Sequence, residues 1–342
     1  MNPCIIYLTQ NTDRDPHHGR DSRSMLEKSL DLLFKNYNNQ FRHKVLIFHE
    51  GDFKNQDQED IKKGREEIEF HEVQFEIPSF LNRNEIPEKW DGIFGIGNRH
   101  MIRFYALQLF DILNDMGYDW FFRLDDDSFI HSRINYNLFE YMNQNGYDYG
   151  YRVDVKDAQR TCFGFSEMVL AYLKAERIKP HTFLDNFGES SKLNNEAFGM
   201  KGKIKRKLTK VIDTVADKIN HDLNNWPVSM EWNRWGYYNN FFITRIGFWH
   251  QMEVQSFLHF LDRVGGGYKY RWTDLIVQTA AVQIFLPPSK IHKFKDWTYE
   301  HATFKNNKLD FGGIYPGEGD EENPEVIAFQ KQFGKLRTSN SY

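Results

Sequence analysis

Tyr118-Asp-Trp-Phe-Phe-Arg-Leu-Asp-Asp-Asp-Ser-Phe-Ile130 is the stretch on which the reading of this chain turns. Trp120 to Leu124 is a short apolar run of the kind that forms a buried strand. It runs straight into Asp125, Asp126 and Asp127, and Phe129-Ile130 then resume the apolar pattern. Residues two apart on an extended chain point the same way, so Asp125 and Asp127 are expected to converge while Asp126 faces elsewhere. Oxygen ligands of this type suit Mn²⁺ or Mg²⁺. Acids set in a buried crease are costly without a counter-ion. The alternative, open at this point, is an acidic strand-end turn whose aspartates only bond the backbone. Ser128 and Arg123 are placed to add a hydroxyl ligand or a phosphate contact.

Outward from this stretch, the first third of the chain alternates strand and helix signals. Cys4 to Thr9 (CIIYLT) and Lys44 to Phe48 (KVLIF) read as buried strands, and Val73 to Ile77 (VQFEI), stopped by Pro78, as a third. Ser22 to Phe34 and Arg99 to Leu113 carry apolar residues at helical spacing, whereas Asp57 to Glu67 is too charged for more than a solvated helix. This alternation predicts an α/β fold, a mixed, mostly parallel sheet flanked by helices. Ligands in such sheets sit beyond the carboxyl ends of the strands. Thr9 to Arg14, at the end of the first strand, is therefore expected to meet the ligand. Arg99, His100 and Arg103 share one helix, where arginines suit phosphate oxygens; pairing with Asp111 or Asp115 is the plainer alternative.

Further on, Val254 to Leu261 and Asp274 to Phe285 read as helices, the second closed by Pro287-Pro288. Residues 183–230 read as an insertion. Within it, Lys201 to Ile219 forms either a basic amphipathic helix for a membrane surface or a solvated helix with one face on the core. Residues 306–342, rich in Gly, Pro and polar groups, are expected to form a wrapping or partly disordered tail on a single 1–305 domain. Trp232, Trp235, Tyr237 and Tyr238 are candidates for stacking on sugars, or core. With 342 residues, 40% of them hydrophobic, the chain can fill one large core. A net charge of -4 argues against nucleic acid as the main partner. Two cysteines, Cys4 and Cys162, make no disulfide framework. No apolar stretch approaches the roughly 20 residues needed to span a bilayer, and the expectation is a cytoplasmic protein, with peripheral membrane contact through 201–219 as an option.

The blocks Tyr118–Phe129, Arg99–Phe104 (RHMIRF), Asn240–Trp249 (NFFITRIGFW) and Gly265–His301 occur in the order found in fungal α-1,2-mannosyltransferases of glycosyltransferase family 15. The chain resembles that family over most of residues 4–305. The resemblance implies a GT-A-type fold, a nucleotide-sugar donor (GDP-mannose, or otherwise a UDP-sugar), Mn²⁺ and a glycan acceptor. By position it implies metal ligands at Asp125, Asp127 and His301, and an acceptor-facing role for Asp274 in Arg271-Trp-Thr-Asp274. Asp274 stands equally well as part of a helix N-cap. Ile291-His-Lys-Phe-Lys295 reads as a strand returning His301 to the site.

Two departures stand out. The glutamate proposed as the family's nucleophile falls on Phe242, and a donor-site tyrosine falls on Asn98. Phenylalanine can neither form a covalent intermediate nor relay a proton. What remains is a same-face displacement, or an inverting attack with Asp274 as base. Two competing readings use the same residues: a nucleotidyltransferase, and a catalytically altered glycan-binding protein of the same fold.

Overall fold

The computed structural model describes residues 1–12, 21–90, 94–189, 230–305 and 308–333. Arg14 and the 201–219 segment lie outside them. Strand β1 (Pro3–Leu8) sits in the middle of a seven-stranded sheet, and Cys4, Ile5, Ile6 and Tyr7 are wholly buried. A run that is apolar on both faces fits a central strand covered by helices on both sides. β2 (Lys44–His49) and β4 (Trp120–Leu124) flank it in parallel, and β3 (Ile68–Glu72) forms the edge beyond β2. The order is β12 (Ile291–Lys293), β6 (Tyr149–Tyr151), β11 (Phe241–Arg245), β4, β1, β2, β3. β11 (Phe241–Arg245) runs antiparallel between β4 and β6 (Tyr149–Tyr151), so its first residue lies beside Leu124, at the carboxyl end of β4.

The third strand is one segment earlier than the sequence suggests. VQFEI alternates, but the backbone pairs with β2 through Ile68 to Glu72, where Ile68 is the buried residue. β12 (Ile291–Lys293) pairs with β6 at the far edge of the sheet and does not carry His301. That histidine lies on β13 (Tyr299–Lys305), the centre of a separate three-stranded sheet with β5 (Ser128–Ile130) and β14 (Lys308–Tyr315). The expected boundary near 306 therefore falls within a hairpin, and β14 is followed by the Pro324–Phe333 helix packed against it. The hairpin needs glycine at one point: Gly312 has φ +71°, and a Cβ there would come 2.1 Å from the His301 carbonyl oxygen.

Two helices position the rest of the site. The Ile96–Arg103 helix continues through Phe104–Gln108 into Leu109–Asp115. The Asp274–Phe285 helix is buried from Asp274 to Ile284, as expected of a helix apolar all round. It packs against that first helix, against β10 (Trp235–Tyr237) and against the Met252–Val264 helix. Cys4 and Cys162 are both buried and free.

Candidate active site

Asp125 to Ser128 forms a turn closed by a hydrogen bond from the Ser128 N–H to the Asp125 carbonyl, 3.0 Å. Convergence of the acids thus comes from a reversal of the chain rather than from extended alternation. Asp126 faces away and accepts from Thr9 Oγ1 at 2.7 Å, which ties the end of β1 to the acidic turn. β13 pairs with β5 so that His301 lies opposite Ser128. This register brings the imidazole Nε2 to 3.0 Å from Asp127 Oδ1 and 4.0 Å from Asp125 Oδ2. Ligand atoms of Asp125, Asp127 and His301 all lie within 4.8 Å of one another.

Around this trio the structure gives Tyr238 and Arg123 roles other than those read from the sequence, and adds Asn239 and Asn240. The Tyr238 hydroxyl sits 2.6 Å from His301 Nδ1, which occupies that nitrogen and leaves Nε2 facing the carboxylates. Asn240 Nδ2 donates to Asp125 Oδ2 at 2.5 Å and lies 3.0 Å from His301 Nε2. Buried Arg123 donates Nε to Asp125 Oδ1 at 2.8 Å and Nη1 to Asp274 Oδ2 at 2.5 Å, with its guanidinium 3.3 Å from the centre of the Tyr105 ring. Asn239 Nδ2 also donates to Asp274 Oδ2, 2.7 Å. Before the fold is known, Asn239 and Asn240, just ahead of β11, look like ordinary turn formers.

The electrostatics favour a cation. Desolvation raises the Asp125 carboxyl above its usual range, although Arg123 and His301 pull it down. For His301, burial pulls the imidazole down, but Asp127 and Asp125 outweigh it and the net shift is upward. Burial likewise works against the Arg123 charge, and Asp125 and Asp274 overcome it. One guanidinium is thus shared between two carboxylates, while Asp127 and Asp125 crowd a neutral-capable imidazole. Two carboxylate oxygens and one imidazole nitrogen at this spacing fit a divalent ion of the Mn²⁺ type.

Asp274 is not the helix cap. Thr273 is, with its Oγ1 accepting from the Ile276 N–H at 3.4 Å, and Asp274 is thereby left to turn toward Arg123. Arg99 and Arg103 are not brought to the acidic group. Buried Arg99 donates to the carbonyls of Tyr268 and Glu88, and Arg103 forms a two-bonded pair with Asp262, both contacts 2.9 Å. Neither pairs in these contacts with Asp111 or Asp115. Phe242 is fully buried directly opposite Arg123, stacked on Tyr149 and edge-on to Phe121. Trp232 packs in the core on Phe165 and Phe183, while Trp235 and Tyr237 line a cavity of about 430 Å³ with Tyr151, Asp154 and Lys293.

A mixed sheet whose first strand meets an acidic turn, with carboxylates and an imidazole gathered beyond the strand ends, defines a GT-A-type glycosyltransferase. Residues 1–310 match the glycolipid 2-alpha-mannosyltransferase family, and the chain belongs to it. It is 22% identical to the O-glycoside alpha-1,2-mannosyltransferase homolog 5 of Schizosaccharomyces pombe, over 91% of this chain and 72% of that protein. Identity to alpha-1,2 mannosyltransferase KTR1 of Saccharomyces cerevisiae is 24%, over 67% of this chain but only 49% of that protein. The chain therefore spans about half the length of the second relative. The fold matches core-mannan synthase A (CmsA/Ktr4) of Aspergillus fumigatus, solved in a Mn/GDP form, with a TM-score of 0.69 at 15% identity, covering 90% of this chain and 76% of that one. The mannosyltransferase Ktr4p of S. cerevisiae, solved with GDP, gives 0.67 at 17% identity, covering 98% and 82%. Among the described residues no helix is long and apolar enough to cross a membrane.

Proposed function

We propose that the chain transfers a mannosyl group from GDP-mannose to a sugar hydroxyl of a glycan, using Mn²⁺ held by Asp125, Asp127 and His301. The observation that carries this reading is the convergence of those three side chains at the carboxyl end of β4. A cation bound there supplies charge neutralisation to the departing nucleoside diphosphate. Thr9, bonded to Asp126, lies where β1 would receive the nucleotide. Asp274 takes the acceptor side. Arg123 and Asn239 both reach its Oδ2 and so fix the carboxylate's orientation, and the acceptor hydroxyl would meet the other oxygen. Phe242 offers no nucleophile, so no covalent intermediate forms at that position. The acceptor proton goes to Asp274 or to the departing phosphate.

The test is titration of the protein with GDP and UDP, with and without Mn²⁺, followed by transfer from the matching sugar nucleotide. Mn²⁺-dependent GDP binding, lost in Asp127→Ala, is the expected result. If the protein binds glycans but neither nucleotide, the altered, glycan-binding reading suggested by Phe242 replaces this one. The anomeric form of the product, read by NMR, separates same-face displacement from inversion.

A further inference from the structure

Trp235 differs from the other tryptophans among the described residues. Trp90, Trp120, Trp232, Trp249, Trp272 and Trp297 each enter a ring pair, a cation contact or a hydrogen bond through the indole. The Trp235 indole enters none of these with the described residues, and the hydrogen bonds at this position belong to its backbone. A buried indole usually finds a partner for its N–H. This one is part-buried and lines, with Tyr237, the cavity of about 430 Å³.

The local fold sets this wall. β10 pairs antiparallel with β7 (Asp154–Lys156), Trp235 opposite Lys156 and Tyr237 opposite Asp154, so these four residues share one face of the ribbon. The other face carries Gly236 and the buried Val155, and at Gly236 it packs on the Asp274–Phe285 helix. Glycine permits that approach: a Cβ there would come 2.6 Å from Leu275 Cδ2 and 2.8 Å from Thr279 Oγ1. The Tyr237 N–H donates to the same Thr279 Oγ1 at 3.0 Å. With the glycine face held to the helix, Trp235 and Tyr237 are left to line the cavity. The Tyr237 ring packs on Tyr151, 4.4 Å between centres, and its hydroxyl bonds Gln283. Gln283 follows Asp274 by nine residues on one helix, about 13 Å along its axis. The cavity is therefore a separate place from the acidic group.

We propose that this cavity binds a sugar unit of a glycan, at a place apart from the transfer centre. Its volume falls in the range of roughly 300–1,000 Å³ in which small ligands are held. The polar walls are set in advance. Asp154 pairs with Lys293, and Gln283 Oε1 accepts from Asn186 Nδ2 at 3.0 Å, while Asn186 Oδ1 accepts from Asn233 Nδ2 at 3.2 Å. A carboxylate keeps acceptor capacity beyond one such pair. The exposed Asp185 carboxylate also lines the cavity and makes no hydrogen bond or ion pair with the described residues. A sugar offers what this lining takes: a C–H face for the Trp235 indole and hydroxyl donors for Asp185 and Asp154. A phosphate or nucleotide would bring negative charge to two carboxylates countered by one ammonium. An alkyl chain would strip water from polar walls that it cannot bond. From the proposed function this inference takes only the choice of mannose as the first probe.

The test is NMR of the whole protein carrying isotope-labelled tryptophan, with the Trp235 indole signal identified by its absence from Trp235→Ala. Mannotriose is expected to shift that signal saturably, to the same extent with and without Mn²⁺ and GDP. Asp185→Ala should weaken the affinity by about 10-fold or more, and an unchanged affinity overturns the choice of occupant. A Trp235 signal that moves for none of mannotriose, maltotriose and chitotriose overturns the proposal. So does one that moves for inorganic phosphate or GDP and for no saccharide. Saturation transfer to mannotriose should be lost in Trp235→Ala, with Tm unchanged, and kept in Asp274→Ala; the reverse pattern places the sugar at the transfer centre and overturns the separate site. None of these readouts uses transfer, so failure of the transferase reading and failure of this one are distinguishable.

Discussion

Arg123 and Arg152 are both buried at the same end of the main sheet, and they are satisfied by opposite chemistry. Arg123 answers to two carboxylates, Asp125 and Asp274. Arg152 answers to neutral carbonyls: its Nε and Nη2 donate to Trp297, Nη2 also reaches Tyr315 and Pro316, and Nη1 reaches Phe294. Burial pushes the Arg152 side chain down to about 10, still protonated at neutral pH, whereas the carboxylates beside Arg123 move it the other way. The first arrangement uses charge to join the Asp125–Asp127–His301 group to the Asp274–Phe285 helix. The second spends it to fasten the segments that enter and leave the β13–β14 hairpin. The contrast separates a region built for chemistry from one built for stability, although both look in sequence like an arginine next to a strand.

The acidic region should break first in activity. Asp127→Ala is expected to cut transfer by on the order of 10³-fold with little loss of folded protein. Added Mn²⁺ should raise the Tm of wild type and not of the variant, since a ligand that binds only the native state stabilises it. A variant with full metal-dependent turnover would remove Asp127 from the site. Arg123→Lys is expected next, at about 10²-fold in kcat, because a point charge cannot serve both carboxylates in the fork that a guanidinium provides. An unchanged kcat would show that the Asp125–Arg123–Asp274 connection is only packing.

Arg152→Met should reverse the pattern. Several buried carbonyls lose their donor, and each costs about 1–3 kcal/mol, so denaturant unfolding should shift by at least that much while turnover per folded molecule stays within a few-fold. A stable but inactive Arg152→Met would erase the distinction drawn here. The finest probe is Tyr238→Phe, which frees His301 Nδ1. Loss of such a supporting bond typically weakens metal binding by about 10-fold or more, with unfolding almost unmoved. Unaltered Mn²⁺ affinity would mean that Asn240 alone orients the imidazole.

The central strands and the Asp274–Phe285 helix were legible in the sequence because long apolar runs and a clean Thr273 cap leave one physical solution. β3 was not, since the alternation of Val73 to Ile77 mimics a strand while Ile68 supplies the residue that β2 buries. The hairpin beyond 306 was hidden by Gly and Pro, which mark loops far more often than a close strand approach like that of Gly312. Within the candidate site, Asp125 and Asp127 were singled out from the strand-end pattern and His301 and Asp274 through family resemblance; the structure brings the first three within 4.8 Å and bonds Asp274 to Arg123. Their convergence was assigned to the wrong backbone geometry. Tyr238, Asn239 and Asn240 were out of reach as supporting partners because their partners lie in distant segments. Arg99 and Arg103 misled in turn, because a basic residue on a helix does not reveal whether it meets a phosphate or a carbonyl.

Because His301 sits on the β13–β14 hairpin, the Asp125–Asp127–His301 group also has a timetable. The Ser128 and Tyr299 hydroxyls that meet beside it are 171 residues apart along the chain. At a synthesis rate of roughly 5–20 residues per second, the nascent protein carries its acidic turn for on the order of ten seconds or more before the histidine exists. Through that interval Arg123 and, once it has been made, Asn240 can shield Asp125, and Asp274 arrives well after the turn itself. Closure of this group is therefore among the last steps the growing polypeptide completes, and a ribosome stalled before the hairpin would hold a sheet with its carboxylates in place and no imidazole beside them.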